Sequence, residues 1–228
     1  MAARLVVETR ALSKIFGVTP VLREVALHLD EGRCALLIGG NGSGKSTLLR
    51  ILAGLSQPTS GDAIVFGENS RALAGARRRI GMLTHQSWLY PNLSARENLE
   101  FYGELYGLAH RQALATKWIE AVGLGVSAND RVREFSRGME QRLSLARALM
   151  TTPDLLLLDE PFAALDPAAV AIVSALIRSA ITRGCAALLT AHAPVDLGVE
   201  LDRYHLVNGR VLPLGEESAM PQRSRMGA

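Results

Sequence analysis

Gly39-Gly40-Asn41-Gly42-Ser43-Gly44-Lys45-Ser46-Thr47 is the stretch that decides how this chain folds. It fits the pattern G-x-x-x-x-G-K-[ST] at every fixed position. An apolar strand, Cys34-Ala35-Leu36-Leu37-Ile38, leads into it, and an apolar helix, Ser46 to Ala53, leads out. The glycines let the backbone curl so that several N–H groups point inward at one phosphate. The helix that follows adds the partial positive charge of its N-terminus. Gly39 through Thr47 are therefore assigned to nucleotide binding. Lys45 is expected to reach the β- and γ-phosphates, and the Ser46 hydroxyl to hold Mg2+. A simple glycine turn has no use for the Lys-Ser pair.

The rest of the composition sets bounds. At 228 residues, 48 % of them apolar, the chain has material for one large domain, or one domain with an inserted lobe. No apolar run approaches the ~18 residues of a membrane span. The longest candidate, Ala168 to Ile177, is interrupted by Ser174. The opening Met1-Ala2-Ala3-Arg4 lacks the layout of a signal peptide, so a cytoplasmic location is expected. A net charge of +3 with a pI of 9.1 argues little for nucleic acid, and no nucleic-acid partner is expected. Arg77-Arg78-Arg79 and the pair Arg223/Arg225 read as solvated surface. Cys34 and Cys185 sit in separate apolar stretches and read as buried thiols of a reducing compartment. The five histidines show no metal-ligand spacing.

Strand-like segments come first, at Leu5–Glu8, Val25–Leu29 and Ala63–Phe66, with the turn Pro58-Thr59-Ser60-Gly61 before the last. From about Leu93 the period becomes helical. Ser94 and Glu97 make a capping box, and Leu99, Tyr102, Leu105 and Tyr106 recur at helical spacing until Gly107. A second helix is read at Arg111–Val122. A third follows Ser136, with Met139, Leu143, Ala146 and Met150 on one face. These three look like an inserted lobe. After Pro153 the α/β pattern resumes: strand Leu155–Leu158, helix Ala168–Ile181, strand Ala186–Thr190, and a hairpin Tyr204–Leu212 turning at Asn208-Gly209.

Two further segments carry chemistry. Leu155-Leu156-Leu157-Leu158-Asp159-Glu160 puts two carboxylates at the end of a buried strand, where ligands of parallel sheets sit. Asp159 is expected in the Mg2+ shell, and Glu160 as the base for the attacking water. Phe135-Ser136-Arg137-Gly138-Met139-Glu140-Gln141-Arg142 opens a helix just upstream, a second helix N-terminus suited to an anion. In its form S-x-G-x-x-Q, this segment resembles the signature motif of ATP-binding cassette (ABC) ATPases. The likeness runs from Phe16 to about Gly209, with every motif in family order.

The resemblance implies a fold and a mechanism. The fold is α/β, of the P-loop NTPase type. It has a RecA-like core, an N-terminal antiparallel β subdomain and an inserted α-helical subdomain. Core and β subdomain would cover 1–92 and 151–215, the helical subdomain 93–150, and a flexible tail 216–228. Two cassettes would pack head to tail, so that Ser136, Gly138 and Gln141 of one meet the nucleotide held by the other. Asp166 matches the loop joining the two sites, and His192 the switch histidine at the γ-phosphate. Phe16 matches the aromatic that stacks on adenine. Gln86 matches the glutamine sensing Mg2+ and the γ-phosphate. Arg137 departs from the family, where glycine is common. The implied partners are a second ATP-binding subunit, identical in a homodimer, and a membrane-spanning permease on whose inner face the chain would sit. Trp88 and Tyr90, in a loop that should be solvated, fit either a docking groove or local packing. His85-Gln86 and Ser136-Arg137-Gly138-Met139 are similar to the heme-exporter ATPases of cytochrome c biogenesis. The alternatives are the ATPase of another exporter, for a drug, lipid or polysaccharide, or a soluble ATPase of iron–sulfur cluster assembly.

Overall fold

The computed structural model describes residues 4–73 and 75–214. The tail expected at 216–228, with Arg223 and Arg225, lies outside the described residues.

The chain begins with two long antiparallel strands, β1 (Leu5–Phe16) and β2 (Thr19–Asp30). The sequence reading caught only the apolar part of each. In β2 the alternation is plain: Val25, Leu27 and Leu29 are buried while Ala26 and His28 face water. Next come β3 (Cys34–Ile38) and helix α1 (Lys45–Leu52). Strands β4 (Ser60–Val65) and β5 (Glu68–Asn69) complete a four-stranded antiparallel sheet ordered β2-β1-β4-β5. Strand β6 (Ile80–Leu83) follows, unmarked in the sequence reading because it is short. Helices α2 (Ala95–Leu105), α3 (Arg111–Ala121) and α4 (Arg137–Leu149) then fill the stretch before β7 (Leu155–Asp159). Helix α5 (Pro167–Thr182), β8 (Ala186–Ala191), β9 (Asp202–Val207) and β10 (Arg210–Pro213) close the fold. The second sheet runs β10-β9-β3-β8-β7-β6, parallel except for β10.

Period-two alternation splits the core in two. Cys34, Leu36, Leu156, Leu158, Ala187 and Leu189 face the helices α2 to α5. Ala35, Leu37, Leu155, Leu157, Ala186 and Leu188 face α1 and the antiparallel sheet. Both faces being covered, the strands read as continuous apolar runs. Leu155 through Leu158 are all fully buried.

Local details follow the sequence. Ser94 accepts from the Glu97 N–H and the Glu97 carboxylate accepts from the Ser94 N–H at 2.7 Å, capping α2 and holding Glu97 below the usual carboxylate range. Asn208 and Gly209, both at positive φ, turn β9 into β10. Cys34 and Cys185 are free and buried, and burial pushes each thiol up to about 12. Arg79 is less solvated than expected: it pairs with Asp154 at 2.6 Å and lies 3.9 Å above the Phe66 ring. Among the described residues no helix is long and apolar enough to cross a membrane.

Candidate active site

Four neighbouring parallel strands deliver the site. β3, β8, β7 and β6 lie side by side, and their carboxyl ends carry Gly39, His192, Glu160 and His85 onto one edge of the sheet. Asp159 pairs in register with Thr190, and Ile38 with Ala191. This is where open α/β sheets hold their ligands.

The loop between β3 and α1 is shaped as a cradle. Gly44 sits at φ 109° as the N-cap of α1. A Cβ on Gly39 would come within 2.7 Å of Ser43 Oγ and 2.8 Å of the Leu206 carbonyl, so only glycine fits. Ser43 Oγ is itself buried without a partner, a polar atom that a phosphate oxygen would satisfy. Gly40 to Thr47 line a cleft together with His85 and Glu160. Lys45 is 5 % exposed, and its Nζ donates to the Gly39 and Gly40 carbonyls at 2.7 and 3.1 Å. An ammonium has a third N–H to give.

The carboxylates are tied in from three sides. Ser46 Oγ donates to Asp159 Oδ2 at 2.6 Å, and Thr190 Oγ1 donates to Oδ1 at 2.7 Å. The Glu160 N–H donates to Thr190 Oγ1 at 3.1 Å. Glu160 Oε1 lies 2.7 Å from His192 Nε2 and 3.8 Å from Lys45 Nζ. Glu160 has φ 51°, a conformation that an L residue rarely holds without support. Two hard oxygen donors, Ser46 and Asp159, at the mouth of the cradle suit magnesium.

The other sequence-derived residues lie apart. Ser136, exposed, caps α4 by accepting from the Met139 N–H at 3.2 Å. A Cβ on Gly138 would meet the Ala164 carbonyl at 3.1 Å, so glycine lets α4 approach the loop before α5. Neither residue lines the phosphate cleft of its own chain. Gln141 turns inward, its Nε2 donating to the Glu160 carbonyl at 2.8 Å. Asp166 caps α5, accepting from the Ala169 N–H at 2.8 Å. Phe16 ends β1 half exposed, with Lys14 Nζ 4.8 Å above its ring. Gln86 is exposed, and only its backbone carbonyl is engaged, by Thr84 Oγ1 at 2.6 Å. Its neighbour His85 enters the cleft instead. Thr190 and His85 are the site residues that sequence reasoning missed. Thr190 sits two places before His192 and directly opposite Asp159, a signal visible only once the strands are paired.

The family model described as "ABC transporter" matches residues 22–163. The chain belongs to the ABC transporter family. Linearmycin resistance ATP-binding protein LnrL of Bacillus subtilis is 32 % identical over 93 % of this chain and 70 % of its own length. The Nod factor export ATP-binding protein I of Paraburkholderia xenovorans is 38 % identical over 94 % of this chain and 72 % of its own. A solved ATP binding subunit of an ABC transporter superposes with TM-score 0.84 at 27 % identity, covering 93 % of this chain and 91 % of that one. The dimeric ATP-binding cassette MJ0796, in a post-hydrolysis state bound to ADP and Pi, gives 0.81 at 28 % identity, covering 90 % and 96 %. By family and fold this chain is the ATP-binding, ATP-hydrolysing subunit of an ABC transporter.

Proposed function

We propose that the protein drives a membrane exporter by hydrolysing ATP in a head-to-tail sandwich of two such subunits. One observation carries this reading. The phosphate cleft is complete in cradle, metal donors and base, while the cap of α4 opens on the surface outside it. A second copy can bring its Ser136 and Gly138 over the nucleotide held by the first, and the dimeric relative MJ0796 favours the arrangement. The subdomain limits then follow the work: 93–150 presents the signature helix, and 1–92 with 151–215 the cleft.

In each cleft the Gly39–Thr47 backbone and Lys45 hold the phosphates. Ser46 and Asp159 would hold magnesium, which would supply positive charge against the phosphates. Glu160 takes the proton of the attacking water, and His192, 2.7 Å away, orients that carboxylate. Gln141 fixes the Glu160 backbone from behind. Phe16 stacks on the adenine, Asp166 places the loop between the two sites, and Gln86 links the cleft to the helical lobe. The membrane partner is a spanning permease, which holds this chain at the inner face of the membrane. Its docking groove lies between Leu55, Met82, Trp88, Tyr106 and Arg147, beside the half-exposed Tyr90 and Phe101.

Similarity at His85-Gln86 and Ser136–Met139 points to heme export for cytochrome c biogenesis. The relatives named for linearmycin resistance and Nod factor export favour an exporter of another cargo.

Glu160→Gln tests the scheme. It should keep nucleotide binding, lower ATP turnover about a hundredfold or more, and trap an ATP-dependent dimer on gel filtration. Turnover at the wild-type rate would remove Glu160 from the mechanism.

A further inference from the structure

His85 lies in the phosphate cleft without a task in hydrolysis. Its Nε2 is 3.7 Å from Asp159 Oδ2 and 4.0 Å from Glu160 Oε1. One donor atom from each of the three residues lies within 4.8 Å of the others. They come from the ends of the adjacent strands β6 and β7, so the sheet register, and no sequence spacing, brings them together.

The chemistry of this set differs from that of the magnesium donors. Magnesium takes oxygen ligands and water at about 2.0–2.1 Å and has little use for imidazole. One imidazole and two carboxylates form a set that zinc and its first-row neighbours take readily. Ligands about 2.0–2.2 Å from a tetrahedral ion stand roughly 3.4 Å apart. The two His85 distances exceed that spacing by about 0.3 and 0.6 Å, and all three donor atoms lie within 4.8 Å of one another. Asp159 is held still by Ser46 and Thr190. The half-exposed His85 side chain and the Glu160 carboxylate, which His192 now meets at 2.7 Å, supply the movement. Lys45, 3.8 Å from Glu160 Oε1, opposes a second cation, and the two carboxylates outweigh it.

We propose that His85, Asp159 and Glu160 form a binding site for a zinc-type divalent cation, distinct in its ligands from the magnesium set and competing with it through Asp159. The proposal rests on the reading of Asp159 and Glu160 as the carboxylates of the phosphate cleft. Because Asp159 Oδ2 is common to both sets, zinc and magnesium-nucleotide weaken each other by the same factor. Zinc in this position also occupies the base Glu160, so the site acts as a brake on turnover.

The test is a zinc titration of the full chain without nucleotide, against a fluorescent chelator. The wild type should take up one zinc per chain, and added magnesium-ATP should weaken that uptake. His85→Gln should weaken it at least about tenfold, with an unchanged melting curve. His85→Cys, which restores a soft donor, should recover zinc binding. Lys45→Ala separates the two readings: it should lose a fluorescent ATP analogue and keep zinc, or bind it more tightly. No stoichiometric uptake by the wild type, or equal uptake by His85→Gln, overturns the zinc site. Undiminished ATP-analogue binding by Lys45→Ala overturns the nucleotide reading and leaves the zinc result standing.

Discussion

Glu160 is held at every polar atom of its backbone. Its N–H goes to Thr190, its carbonyl takes the Gln141 amide, and its carboxylate meets His192. These contacts support its positive φ and fix where the carboxylate points. Arg137 shows the opposite condition: it is exposed at the first position of α4. Arg137→Gly should therefore change turnover less than tenfold, at a helix-propensity cost of about 1 kcal/mol. Ser136→Arg removes the cap of α4, puts a long cation at the proposed subunit face, and should abolish turnover. Steady-state ATPase rates with melting curves check both, and equal, severe losses would contradict the assignment. The phosphate loop and the Asp159-Glu160 pair were legible in the sequence because each is marked by contiguous residues, a glycine loop after a strand and two carboxylates at a strand end. Thr190 and His85 were not, because each acts on a residue of another strand.

At the scale of elements, buried parallel strands are what hold the site together. β7 is five residues long and fully buried, and it carries Asp159 at its end. Leu157 faces α1, so a cavity there loosens the strand against the helix that follows the phosphate loop. Leu157→Ala should cost about 2–5 kcal/mol in urea denaturation, with lower nucleotide affinity as a secondary effect. A loss under about 0.5 kcal/mol would mean that the strand is not held by this packing. Helix existence and capping were readable from period and cap residues, as at Ser94 and Ser136, and the β9–β10 turn from Asn208-Gly209. Strand lengths were not. The polar halves of β1 and β2 look like loop until the partner strand supplies their hydrogen bonds, and β6 is too short to show a period.

At the scale of the molecule, the cleft and the N-terminus of α4 do not meet within one chain. In the proposed head-to-tail dimer each cleft would meet the other copy's α4. Lys45→Ala and Ser136→Arg should each be inactive alone. Mixed, half of the dimers would combine one intact cleft with one intact signature helix, and turnover should return to about a quarter of the wild-type value. No recovery in mixtures that do form dimers would rule out the composite site.

The sequence by itself determined the nucleotide, the order of the motifs and the family. Those depend on contiguous backbone: a glycine loop, a strand end, a helix cap. Only the tertiary structure decided that His85 enters the cleft while Gln86 faces water, that Thr190 braces Asp159, and that Gln141 reaches Glu160. Such contacts come from the register of parallel strands, whose partners stand far apart in the chain and leave no local period to read.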